Sequence, residues 1–250
     1  MDTPYRSTPS PGAAARFATT RWRTVVAAGQ PGSPLARSAL AELCQAYWMP
    51  LYGYALRRVA DRESARDLTQ EFFVRFLEKN YAAQADAARG RFRAFLLTSF
   101  KHFLANEWDR ARAKKRGGEE RVLSLDFDSG DSRLSLEPVD ALTPDRVFER
   151  QWALTLLDHV LQELRRDYES NGKSAQFEVL KRFLVAEESP DDNAEPARQL
   201  GMTAGALRVA VHRLRKRYRE LIRTHIAETV SDAEEIDEEL RALFAALSRS

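Results

Sequence analysis

Asp192 to Ile226 reads DNAEPARQLGMTAGALRVAVHRLRKRYRELIRTHI, and this stretch decides what kind of chain this is. Leu207, Val211, Leu214, Tyr218, Leu221 and His225 recur at steps of 4, 3, 4, 3 and 4 residues, which places them on one face of a helix. The opposite side carries Val209, His212, Arg213, Lys216 and Arg223, with Arg208 and Arg219 on the flank. Upstream, Ala194 to Leu200 is long enough for two helical turns. Gly201 then supplies a residue that tolerates positive φ, and Thr203 is a good N-cap for the second helix. Short helix, glycine turn, long basic helix is the helix-turn-helix pattern.

Seven Lys or Arg residues between Arg208 and Arg223 face a single acidic residue, Glu220, so salt bridges along the helix cannot neutralise them. Phosphates can, through counterion release. Val209 is apolar in the middle of this polar face. In a major groove it would meet a thymine methyl while Arg208 or Arg213 reaches guanine O6 and N7.

The chain has 250 residues, room for one large or two small domains, and its hydrophobic fraction of 44% suffices for packed cores. Net charge is only +2, so the charge is segregated rather than uniformly basic. Cys44 is the sole cysteine, which excludes intramolecular disulfides and fits a reducing cytoplasm. No apolar run is long enough for a membrane span, so no membrane insertion is expected. His102, His159, His212 and His225 are dispersed in sequence, with no HExxH, P-loop or paired-carboxylate motif. The expectation is a cytoplasmic protein that is not an enzyme and uses no cofactor or metal, with His159 on a helix surface or cap and His225 at a core edge.

Nearer the N-terminus, Thr19 or Thr20 can cap a short helix carrying Trp22, Val25 and Val26. Leu35 to Ala60 reads as a helix with Leu40, Leu43, Tyr47, Leu51 and Tyr54 on one side, which Pro50 is expected to kink or split. In ESARDLTQEFFVRFLEK, Leu68, Phe72, Phe73, Phe76 and Leu77 form a broad apolar arc. The remaining strip, Asp67, Gln70, Glu71, Val74 and Glu78, holds three carboxylates and no lysine. Such a strip suits a basic partner helix. In the next helix Phe92, Phe95, Leu96, Phe100, Phe103 and Leu104 are core-like. Beyond Asn106 come Trp108, Arg110, Arg112, Lys114, Lys115 and Arg116, aromatic and cationic groups of the kind that grip unpaired bases and their phosphates.

Glu119 to Glu149 holds nine acidic and three basic residues with Pro138 and Pro144, the composition of a linker. Helicity then returns, with Phe148, Trp152, Leu156, Val160, Leu161 and Leu164 on one face and Phe177, Leu180, Phe183 and Leu184 in the next helix. No useful strand alternation occurs, so the fold is expected to be all-α: two small helical domains joined by an acidic linker. The expected boundaries are a leader over 1–18, a first domain over 19–117, the linker over 118–144, a helix-turn-helix domain over 145–226 and an acidic amphipathic extension over 227–250.

DLTQEFFVRFLEK, then GRFRAFLLTSFKHFLANEWDRARAKKR, then GMTAGALRVAVHRLRKRYREL, in this order and spacing, resemble the extracytoplasmic-function (ECF) group of the sigma-70 family of RNA polymerase sigma factors. The resemblance spans roughly Thr20 to Ile226. It implies a sigma-2-like bundle that binds core RNA polymerase and opens the −10 element, and a sigma-4-like domain that reads the −35 element. Polymerase binding would fall on Asp67, Gln70, Glu71, Phe72, Val74 and Glu78. Reading of the melted −10 strand would fall on the loop before Gly90 and on His102, Asn106, Trp108, Arg110, Arg112 and Lys114. Duplex −35 contacts would fall on Thr203, Arg208, Val209, His212 and Arg213, with Arg215 and Lys216 on phosphates. An anti-sigma protein is a further partner the resemblance admits. His102 stands where the family often has asparagine, and Pro196 where a β-branched residue or leucine is usual. If Asn193 is the N-cap, Pro196 falls at N3, where its missing N–H costs nothing. The competing reading is a helix-turn-helix regulator acting without polymerase, which leaves the acidic strip and the aromatic-basic helix unexplained.

Beyond the resemblance, Glu228 to Glu239 holds seven acidic residues and no basic one, followed by Leu240, Leu243, Phe244 and Leu247 as the apolar face of a short helix. Two readings are open. The tail folds back on the basic helix and restrains DNA binding, or its helix completes the packing of the second domain.

Overall fold

The computed structural model describes residues 22–30, 34–59, 61–85, 91–114, 142–184, 194–230 and 232–248, and every regular element among them is helical. Helix α1 (Trp22–Ala28) leads into α2 (Pro34–Leu56). Pro50 lies inside α2 and is buried, yet α2 continues through it unsplit. Helix α3 (Arg62–Glu78) starts where Asp61 accepts a hydrogen bond from the Ser64 amide at 2.7 Å, which satisfies one orphan donor of its first turn. A 3-10 turn at Tyr81–Gln84 follows, and then the long α4 (Phe92–Lys114). The aromatic spacing of α3 and α4 is spent on one cluster. Phe72 sits at its centre, edge-on to Phe100 at 4.9 Å between ring centroids and within 5.7 Å of Phe73, Phe76 and Phe103.

The second half begins with α5 (Pro144–Ser170), capped by the Thr143 side chain and with Pro144 at its first position, where no N–H is missed. Helix α6 (Ser174–Leu180) runs into a 3-10 turn at Lys181–Leu184, and α7 (Ala194–Gln199) and α8 (Ala204–Ala227) follow, joined by a short turn where the sequence leads one to expect a helix-turn-helix. Pro196 is the third residue of α7 and is buried; Asn193 lies outside the described residues. Gly201 takes φ +60° in the turn, and the Thr203 Oγ1 accepts from the Ala206 amide at 3.1 Å, both as the sequence leads one to expect.

Two features depart from the sequence reading. Helix α5 is not confined to the helix-turn-helix. Its first half lies against α2, so closely that a Cβ at Gly53 would sit 3.0 Å from Val147 Cγ1, while its second half supports α8. A single hydrophobic core therefore runs from Val25 to Leu243 through Phe148, Trp152, Leu156 and Leu164 of α5, where two bundles were expected. The segment expected as linker falls almost wholly outside the described residues. The extension, for its part, forms α9 (Ile236–Leu247), packed on α5 and α8 with Leu243 fully buried. Phe244, expected on the buried face, points outward, and Ile236 takes a half-buried place instead, because the helix is turned so that Glu239 rather than Phe244 lies inside.

Candidate nucleic-acid interface

Helix α8 is held by Leu207, Leu214, Leu221, Ile222, His225 and Ile226, all buried. Its other side is open. Arg208, Val209, His212, Arg213 and Lys216 are exposed, with Val209 at 50%, so five of the residues expected to meet duplex DNA share an accessible face. Two others are engaged in the fold. Thr203 uses its hydroxyl as the cap, and Arg215 turns back to donate through Nε to the Phe183 carbonyl at 2.9 Å, so it anchors α8 on the preceding turn rather than reaching outward to a phosphate. Arg217 and Arg223 are also paired, with Asp167 at 3.0 Å and Asp237 at 2.6 Å.

The acidic strip of α3 is narrower than its sequence suggests. Asp67 and Glu78 are exposed and Glu71 and Val74 half-buried, whereas Gln70 is buried and Phe72 belongs to the aromatic core. A helix with so wide an apolar arc leaves only a thin polar seam. That seam is also not purely acidic: Arg75 pairs with Glu71 and, at 2.5 Å, with Glu107 of α4.

Between α3 and α4 lies a cleft of about 340 Å³. His102, Asn106 and Arg110 line it in one row with Thr98, spaced four residues apart on α4. Phe95, Tyr81 and Phe103 give it an apolar floor, and Arg75 and Lys79 supply cations from α3. The sequence pointed to three of the row; it missed Arg75, Lys79 and Tyr81, although Glu71, Arg75 and Lys79 repeat at four-residue steps toward α4. Trp108 is half-buried beneath the Arg58 guanidinium, 5.0 Å from its ring centre, so one face of the indole is already stacked. The side chains of Arg112 and Lys114 and the loop before Gly90 lie outside the described residues.

His159 and His225, far apart in sequence, meet edge to face at 4.9 Å, and both are buried, so His159 is neither a surface nor a capping residue. Glu163 completes the group, its Oε2 lying 2.7 Å from His225 Nε2 and 4.0 Å from His159 Nε2. Burial raises the Glu163 carboxyl, but the hydrogen bond and charge of His225, with the charges of His159 and Arg166, outweigh it and hold the group below its ordinary 4.5. Although this is a ligand set by composition, its shortest spacing is that of a hydrogen bond. Two atoms bound tetrahedrally to one zinc at about 2.0–2.1 Å would stand roughly 3.3 Å apart. The group pins α5 to the end of α8.

Residues 43–114 match the family model described as Sigma-70 region 2. The match runs from Leu43 in α2 to the end of α4, and so takes in the acidic seam, the aromatic core and the cleft. The segment is thus similar to region 2 of the sigma-70 family, a module of transcription initiation that implies core RNA polymerase binding. No curated protein and no solved structure gives a significant match to the chain. Among the described residues no helix is long and apolar enough to cross a membrane.

Proposed function

We propose that this chain is an alternative sigma factor of the ECF group, which joins core RNA polymerase through the surface of α3, reads a melted −10 strand at the cleft between α3 and α4, and reads duplex −35 DNA with α8. The observation that carries this reading is one chain in which a segment similar to sigma-70 region 2 is followed by a long helix, α8, whose basic face is exposed. The cleft suits its assigned task. An apolar floor takes an unstacked base, Lys79 and, in exchange for its pair with Glu107, Arg110 neutralise its phosphates, and His102 and Asn106 supply hydrogen-bonding groups for the base edge. Asp67, Glu71 and Glu78 offer negative charge to a basic partner.

The competing reading, a helix-turn-helix regulator working alone, needs tight binding to duplex DNA without polymerase. Gel filtration of the full chain with core RNA polymerase, alongside titration of promoter duplex with and without polymerase, separates the two. A sigma factor co-elutes with polymerase and selects the promoter only in its company; selective duplex binding by the free chain with no co-elution would overturn the proposal.

A further inference from the structure

Region 2, α5 and the C-terminal helix meet at one side chain. Arg93, at the start of α4, has its side chain only 7% exposed and lies over the Trp152 ring of α5 at 4.2 Å. Its Nε donates to Glu149 of α5 at 3.0 Å, and another guanidinium nitrogen pairs with Glu239 of α9. Arg91 holds the same Glu239 at 2.8 Å and Glu238 at 3.1 Å. On the far side Asp237 holds Arg223 of α8 at 2.6 Å. Three successive acids of α9 are thus divided between region 2 and the helix-turn-helix.

The chemistry of this joint differs from that of the core around it. The Glu239 side chain is wholly buried, and its oxygens lie within ion-pair reach of the two arginines without an aligned hydrogen bond. A buried pair of this kind holds less tightly than well-packed apolar side chains would, because each charge has given up its water. On separation that hydration returns. Charge is therefore suited to a contact that must part.

On the sigma-factor reading proposed for this chain, parting is required. Elements centred near −10 and −35 lie roughly 25 base pairs apart, or about 85 Å at ~3.4 Å per pair. The roughly 180 described residues packed around one core have a radius of gyration of about 16 Å and so a diameter of about 40 Å. We propose that α9 is an intramolecular latch: through Glu239 on Arg91 and Arg93 it reinforces the α2–α5 contact that holds region 2 against the helix-turn-helix in a closed form that cannot bridge both elements, and loading onto polymerase and promoter opens latch and contact together.

The test is energy transfer between dyes on Glu63→Cys and Glu220→Cys, both exposed positions, in the full chain. Cys44 is buried and its thiol pushed up to about 12, so it stays unlabelled. Transfer is expected to fall at least twofold when core polymerase and a promoter carrying both elements are added. Glu239→Gln and, separately, Arg91→Gln are expected to raise the open fraction of the free chain at least threefold. Should Glu239→Gln lose its helical circular dichroism, the partly exposed Arg91 carries the same test. A chain that transcribes from that promoter with unchanged transfer overturns the latch and leaves the sigma reading standing. A chain that never binds polymerase removes both.

Discussion

At the scale of single residues, the proposed function divides the exposed face of α8 into groups that would read and groups that would grip. Arg213 can reach a base edge, and Lys216 is a flexible point charge suited to phosphate. Arg213→Ala is expected to cost about 1–3 kcal/mol at the cognate −35 site and to relax preference there, whereas Lys216→Ala weakens all sequences alike and lowers the salt slope by about one. Titrations of the polymerase-bound protein with cognate and scrambled duplex at several salt concentrations check this. The Glu163 carboxyl offers a second test, since it is held below its ordinary value by His225, His159 and Arg166 despite the burial that raises it. A depressed carboxylate contributes stability that is present above its ordinary 4.5 and lost as pH falls through the lower folded value. Glu163→Gln is therefore expected to flatten the fall of Tm below about pH 5, measured by thermal melts between pH 7 and 3. The sequence could not show this cluster, because Glu163 and His225 lie 62 positions apart and only the crossing of α5 and α8 joins them.

At the scale of elements, much was legible because periodicity and caps are local. Leu207, Leu214 and Leu221 fixed the buried face of α8, Thr203 its start and Gly201 its turn. The width of an apolar arc is harder to judge. Gln70 and Phe72 were expected at a docking surface and lie inside, since α3 is covered on one side by α2 and meets α4 on another. Asp67, Glu71 and Glu78 remain for a partner. Glu71→Lys is expected to abolish co-elution with core polymerase, a penalty of roughly several kcal/mol, because it sets a second cation beside Arg75 against a basic surface. The helical circular dichroism of the same full chain should be unchanged. For α9, packing rather than charge fixes the location: Leu243→Ala removes a fully buried side chain and is expected to cost about 2–5 kcal/mol, read as a lowered midpoint in urea.

At the scale of the whole molecule, the order of helices could be read from the chain but their union could not. Phe148, Trp152 and Leu156 announced that α5 had a buried face without saying that α2 would cover part of it; Gly53, a small residue between two tyrosines in α2, was the only local sign of that close approach. The tail likewise carried its acids openly, yet Asp237, Glu238 and Glu239 pair with Arg223, Arg91 and Arg93, while Arg208, Arg213 and Lys216 stay exposed, so the outward basic side of α8 is left uncovered. On the proposed function, these parts together make a promoter-specific initiation factor. Run-off transcription with purified core RNA polymerase on genomic fragments, with and without this protein, tests it most directly. Discrete transcripts are expected that depend on the protein, start about ten base pairs downstream of a common element and disappear with Glu71→Lys. Binding of those fragments by the protein alone, with no protein-dependent transcript from any of them, would contradict it.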